Sequence, residues 1–368
     1  MDHPNYVHEV FQALHAMPEI GLAEHRTSAF LADELEKYGY RVIRHVGGST
    51  GVIGVLESGN PGPVLGLRAD MDALAFEIDG HTEYRHACGH DAHSSMLMAA
   101  ARQIAEDGIQ TGKLYIIFQP GEETLYGALT VIDSGLVNDL DEIIGMHIRP
   151  VDDTTVGHAA AAMYHSAGAP THVKIRGLTA HGARPHLGVN AVDAAVLAVN
   201  AINAIHGNPR VVHSLKVTQL QVGAGSMNII PDEITMAIDI RCQDNDEMDR
   251  LLEKMRNAVT YSVKAIGAEA VSIESGYVPA AIYTQKSIDL CRKAIIDVLG
   301  EDGLIPDLSN PGGEDFHWFA KKLGCDASYI ALGANASPGL HHKDMAFDHH
   351  ALDHGSAIFC RVAHLRLG

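Results

Sequence analysis

Three runs of the chain, PVLGLRAD (63–70), KLYIIFQP (113–120) and DEIIGMHI (141–148), are apolar nearly throughout, and each closes on charged, polar or imidazole side chains. A strand that is apolar at consecutive positions buries both faces, as in a parallel sheet covered by helices on both sides. Helical periodicity over about 5–38 and in SSMLMAAARQIAEDG (94–108), with short β-like runs at YRVIRHV (40–46) and TGVIGVLE (50–57), completes an alternating pattern. That alternation predicts an α/β fold with a mainly parallel sheet.

The pattern changes near residue 166. THVKIRG (171–177) alternates as a half-buried strand, and a long helix follows at 190–207. SLKVTQLQVG and EITMAIDIRC then alternate as strands, 245–267 is amphipathic with Asn245 or Asp246 as its N-cap, and AEAVSIESG closes the set. The order β-α-β-β-α-β predicts a small two-layer α+β domain. Helix–strand alternation resumes after 280, so the expected organisation is a discontinuous sheet domain, 1–165 and 280–368, with 166–279 inserted. A chain of 368 residues, 46% apolar, is long for one core and accommodates two.

The net charge of −19 argues against nucleic acid or an anionic membrane as partner. No apolar run is long enough to span a bilayer, and the first residues lack the basic and apolar regions of a secretory signal. Cys88, Cys242, Cys291, Cys325 and Cys360 are scattered and odd in number, which fits a reducing cytoplasm better than a disulfide framework.

The 24 histidines are the unusual entry, because several are grouped. H-A-C-G-H-D-A-H (86–93) precedes a helix, and Cys88 and His90, separated by Gly89, can converge on one ion from an extended loop. R-A-D-M-D-A-L (68–74) puts two carboxylates at a strand end, where open α/β sheets place their sites. F-Q-P-G-E-E ends on Glu122 and Glu123, two acids that repel if both are buried; a metal relieves one and leaves the other as a base. The competing reading is two ordinary exposed glutamates. His147 in G-M-H-I closes another apolar strand, and His341 lies in G-L-H-H-K-D. Each is weak alone, but several strand ends and loops of one expected sheet supply metal-ligand types. His181, in G-L-T-A-H-G-A-R-P-H (177–186), lies in the inserted segment and reads as a turn histidine unless a domain or subunit boundary brings it to a site.

Taken in order, these motifs, with N-I-I-P-D, Arg241 and G-G-E-D-F, resemble the M20 metallopeptidase family along essentially the whole chain. The likeness is to its amidohydrolase branch of aminoacylases, hippurate hydrolases and hydrolases of auxin–amino-acid conjugates. The resemblance implies a two-metal hydrolase of N-acyl (acetyl, benzoyl or arylacetyl) amino acids with a catalytic sheet domain and a lid or dimerisation insert. It implies two divalent ions per subunit, Mn or Zn, with Co or Ni as substitutes. Cys88 would bridge them, with His90, His147, Glu123 and His341 completing the shell and His342 as the alternative late ligand. Glu122 would be the general base, and Asp70 would orient a ligand. His181 would come from the partner of a homodimer to stabilise the oxyanion, and Asn228 and Arg241 would hold the substrate. Three departures stand out: Ala75 where the family has Pro, a short segment from Phe76 to Tyr84, and an unusual spacing from His341 to Phe347. Two other readings stay open: a dipeptidase or aryl-amine deaminase of the same fold, and a non-catalytic metal binder, which has no use for Glu122.

Overall fold

The computed structural model describes residues 3–223 and 225–368, with side chains from Tyr6 onward. In chain order the long strands are β1 (Arg41–Val46), β2 (Gly51–Glu57), β3 (Val64–Asp70), β4 (Lys113–Gln119), β5 (Glu142–Pro150), β6 (Thr171–Arg176), β7 (His213–Val222), β8 (Glu233–Cys242), β9 (Glu269–Ser275) and β10 (Asp326–Ala336). The helices are α1 (His3–His15), α2 (His25–Lys37), α3 (His90–Asp107), α4 (Gly127–Asp133), α5 (Ala191–Asn203), α6 (Asn245–Lys264), α7 (Gln285–Leu299), α8 (His317–Leu323) and α9 (His350–Leu367). The chain divides into two compact units, one of residues up to Tyr164 with Ile282–Ser309 and Asp315–Gly368, the other of His165–Ala281 with Asn310–Glu314.

The first unit is built on an eight-stranded sheet ordered β1-β2-β4-β3-β5-β10, continued by the short strands Ala159–Ala160 and Leu304–Ile305. The four central strands are parallel, and β1 and β2 join antiparallel at one edge. The apolar runs explain the layering. In β4, Leu114, Ile116 and Phe118 pack with α1, α2, α3, α7 and α9, while Tyr115 and Ile117 pack on the other face with α4 and α8. Alternate side chains of one strand thus feed two cores, as a continuously apolar strand requires.

The second unit is an antiparallel sheet ordered β7-β8-β6-β9, with α5 and α6 packed on one face through Val173, Ile175, Met236, Ile238 and Ile240. Its element order is the expected β-α-β-β-α-β. The cap of α6 differs from expectation. Asp244 accepts the Glu247 amide at 2.8 Å, whereas Asn245 points its side chain at the backbone of Ala280. The segment from Leu74 to Arg85 is a β-hairpin, Leu74–Ile78 against His81–Arg85, turned by Asp79 and Gly80, both at positive φ. That is the backbone an Asp-Gly pair favours in a two-residue hairpin turn.

No described helix is long and apolar enough to cross a membrane. Replacing Asp244 with Ala removes the α6 cap, and the unfolding free energy from urea titration should fall by about 1 kcal/mol, whereas Asn245→Ala leaves the cap bond in place.

Candidate metal centre

The C-terminal ends of the parallel strands and the loops after them carry the chemistry, as the topology of an open α/β sheet predicts. Cys88 and His90 flank the start of α3. Gly89 between them has φ +86°, and a Cβ there would collide with Ile148, so only glycine lets the chain turn between the two side chains. Glu122 and Glu123 follow β4 through Gly121, which is also left-handed. His147 lies within β5. His341 sits in the loop after β10, itself at φ +63°, and its amide donates to the Ala87 carbonyl at 2.7 Å. A left-handed backbone at a histidine is strained and needs surrounding structure to hold it. Here the bond to Ala87 fastens the late loop to the Cys88 loop.

The donor atoms form two triads that share one thiol. Cys88, His90 and His147 offer ligand atoms all within 4.8 Å of one another, and so do Cys88, Glu123 and His341. Cys88 Sγ is 3.4 Å from His147 Nε2, and His341 Nε2 is 3.3 Å from Glu123 Oε1. Of the two adjacent histidines, His341 faces Glu123, while the His342 ring accepts the Asp344 amide at 3.1 Å.

Two of the three rings are oriented by a bond at the far nitrogen. His90 Nδ1 donates to Asp72 Oδ1 at 2.9 Å, and His147 Nδ1 donates to the Ile148 carbonyl at 2.6 Å, so both turn Nε2 inward. His90 Nε2 is buried without a hydrogen-bond partner, and Glu123 Oε1 faces His341 Nε2 at 3.3 Å. Buried ligand atoms left short of partners around one space are the mark of a cation site, because an unpaired buried polar atom is costly. The residues therefore fit divalent metal.

The electrostatics agree. Burial disfavours an imidazolium at His90, yet the charges of Asp70 and Cys88 and the bond to Asp72 outweigh it and hold its pKa well above the usual value. Hydrogen bonds to Cys88 and Glu123 push His341 up to about 10. His147, buried and beside His93 and Arg149, is held well below the ordinary range. The buried and ionic surroundings of His90 and His341 favour positive charge there, whereas those of His147 favour a neutral ring.

A family model for peptidase family M20/M25/M40 matches residues 66–365. The chain belongs to that family. The hippurate hydrolase of Campylobacter jejuni is 28% identical over 362 residues, 95% of this chain and 94% of that protein. Thermostable carboxypeptidase 1 of Saccharolobus solfataricus is 29% identical over 347 residues, 89% of this chain and 86% of that protein. The fold is shared with the Bacillus subtilis YXEP protein, described as a dinuclear metal binding peptidase from the M20 family, at TM-score 0.81 and 24% identity, with 99% of this chain and 98% of that chain covered.

Within this M20 protein, two carboxylates divide the supporting work differently from expectation. Asp70 does not hydrogen-bond a ring of either triad. It bonds His93 Nδ1 at 2.6 Å and Arg68 at 2.7 Å, and His93 Nε2 accepts the Ile148 amide at 3.0 Å, so Asp70 acts on the β5 backbone beside His147. Asp72 holds two triad members at once, the His90 ring and, through Oδ2, the Glu123 amide at 2.9 Å. Sequence reasoning singled out Asp70; Asp72 was visible in the same R-A-D-M-D-A-L motif.

The second unit holds the other three expected residues. His181 is exposed on a short strand paired with Ile229, and its Nδ1 accepts the Ala183 amide at 3.0 Å. Its proton is therefore on Nε2, available as a donor. Gly182 donates to the carbonyl of the exposed Asn228 at 2.7 Å. Arg241 lies on β8, paired with Asp239 at 3.1 Å, and its guanidinium lies over Gly168 and near Gly313.

Because a cation must displace the protons on His341 and His90, the metal-free protein binds more protons than the loaded one. Metal affinity should then rise with pH by about tenfold per pH unit for each proton displaced between about pH 6 and pH 8. Calorimetry in buffers of different ionisation heat should show net proton release; uptake or no exchange would contradict the assignment.

Proposed function

We propose that this M20 protein hydrolyses the amide bond of N-acyl amino acids with two divalent cations, Mn2+ or Zn2+ with Co2+ or Ni2+ as substitutes. Cys88 would be shared between them, His90 and His147 would serve one, and Glu123 and His341 the other. The observation that carries this reading is the pair of donor triads meeting at one thiol, with a further buried acid, Glu122, at their edge. The similarity to a hippurate hydrolase over nearly the full length of both chains supports the substrate class.

When bound, the ions supply the Lewis acidity that polarises the amide carbonyl and acidifies water. Glu122 Oε2 lies 3.9 Å from His90 Nε2, and the acid groups with His90 and Glu123 but not with Cys88. Its role is to take the proton of the attacking water and deliver it to the departing nitrogen. His181, with its proton on Nε2, is suited to donate to the oxygen on which charge develops. Asn228 and Arg241 are assigned to the substrate carboxylate or the tetrahedral centre.

The similarity to a carboxypeptidase favours a second reading, cleavage of short peptides. Both substrate classes present an amide nitrogen borne by an amino acid with a free carboxylate, and they differ on the acyl side. The discriminating experiment is a panel of N-acetyl, N-benzoyl and indoleacetyl amino acids beside dipeptides. Cleavage of an acylated amino acid is expected; cleavage of dipeptides alone would defeat the proposal. Glu122→Gln should lower kcat by about 10²- to 10⁴-fold with metal content unchanged. A variant that keeps most of its activity would remove Glu122 as the base.

The second unit supports a homodimer. Its edge strand β7 pairs only with β8 among the described residues and exposes Leu220 and Val222, with Ile229 and Met227 also exposed. We assign this surface to a second copy, which would supply His181. Mixing inactive His181→Ala and Glu122→Gln chains should then restore activity; mixed dimers that stay inactive would refute the shared site. All five cysteines are free, which supports a cytoplasmic location.

A further inference from the structure

α3 and α9 run side by side in the first unit, and far from His90 their ends bring together a second set of donors that the reaction does not use. Cys360 and His364 are one turn apart on α9 and share a face. Asp107 is the last residue of α3. His364 Nε2 is 3.3 Å from Asp107 Oδ2, and Cys360 Sγ is 3.8 Å from His364 Nδ1 and 4.0 Å from Nε2. The three donors all fall within 4.8 Å of one another.

We propose that Asp107, Cys360 and His364 form a second metal site, for a thiophilic divalent cation of the Zn2+ class, at the distal end of the α3–α9 pair. With Zn–S about 2.3 Å and Zn–N or Zn–O about 2.0 to 2.2 Å, donor atoms on a tetrahedral ion stand roughly 3.3 to 3.6 Å apart. The two separations from His364 reach that range with shifts of a few tenths of an ångström, and Asp107 and Cys360 lie within 4.8 Å of each other. Thiolate, imidazole and carboxylate together select borderline or soft cations over Mg2+ or Ca2+.

The surroundings favour the site. Gln103 donates to Asp107 Oδ1 at 2.9 Å and thereby turns Oδ2 toward His364. The nearby cations are already matched, Arg102 with Glu106 and Arg361 with Asp297. Cys360 and His364 also line a cleft of about 510 Å³, with Tyr6, Ala99 and Val298 among its walls, which leaves room for a fourth ligand from solvent. At 1.5 Å per residue, the 18 residues of α3 set this site roughly 25 Å from His90. An ion there joins the far ends of two helices whose near ends border the Cys88 and His341 loops.

The test titrates Cd2+ into full-length Cys88→Ser protein, which lacks the shared thiol of the first centre, and reads the ultraviolet thiolate-to-metal charge-transfer band. One equivalent should develop the band. Cys360→Ala should abolish it, and His364→Ala and Asp107→Asn should each weaken Cd2+ binding at least roughly tenfold. Circular dichroism checks that each variant is folded. If Cys88→Ser does not fold, the same titration is read as the difference between wild type and Cys360→Ala, with the His364 and Asp107 variants compared in that background. A band that survives Cys360→Ala, or binding unchanged by His364→Ala and Asp107→Asn, means adventitious or lone-thiol capture only and overturns the proposal.

Discussion

A cluster of buried ligand atoms short of hydrogen-bond partners organises this protein. His90 Nε2 has none, and Glu123 Oε1 faces the His341 ring, near a thiol common to two triads. Folding such a set without compensation is unfavourable, since each unpaired buried acceptor loses its hydration. Divalent ions would supply that compensation. The local backbone serves the same end. Gly89 and Gly121 are left-handed beside ligand candidates, and His341 adopts a conformation that a histidine seldom takes. Glycines that turn freely at two of these loops and a strained histidine at the third are what a pre-formed site requires, because ligands that had to reorganise would lose affinity to that cost.

Beneath the triads lies a buried network that sets their positions. Arg68, wholly buried, bonds Asp70 at 2.7 Å, Gln119 at 2.9 Å and Asp315 at 3.0 Å. Asp315 also accepts the Ala128 amide at 2.8 Å and so reaches the first residues of α4. An ion pair in such a place contributes little net stability, but removing one partner strands the other charge. Its consequence is geometric: β3, β4, β5, the start of α4 and the segment before α8 are tied at the level of the site. Asp70 extends the tie through His93 to the Ile148 amide. R-A-D, F-Q-P and Asp315, remote in sequence, are one connected structure.

The legible and illegible parts of the sequence divide along physical lines. The parallel strands could be read because both their faces are buried, so KLYIIFQP stays apolar without alternation, and the second unit could be read because β6 and β8 alternate. The segment from Phe76 to Tyr84 stands out in the sequence only as short, although Asp79-Gly80 is a strong turn signal, because the strands of this hairpin are polar and exposed and carry little hydrophobic period. The α6 cap was misplaced by one residue or two among Asp244, Asn245 and Asp246, all of which are competent cap residues; the choice depends on Ala280, which Asn245 holds. Donor types at strand ends were visible, but which of Asp70 and Asp72 bonds the His90 ring depends on the pleat of β3 and the turn after it. A spacing of two residues does not encode that.

The adjacent acids Glu122 and Glu123 show how one short turn can separate two chemical roles. Two neighbouring carboxylates with the same surroundings would repel and share a proton. Here the Glu123 amide is fixed by Asp72, and its Oε1 lies 3.3 Å from His341, in the triad with Cys88. Glu122 is more deeply buried and lies outside both Cys88 triads. Asp72 therefore does more than orient His90. By holding the His90 ring with one oxygen and the Glu123 backbone with the other, it fixes the relative placement of one donor from each triad. The placement of His90 relative to Glu123, and with it the space beside Glu122, thus depends on this buried carboxylate.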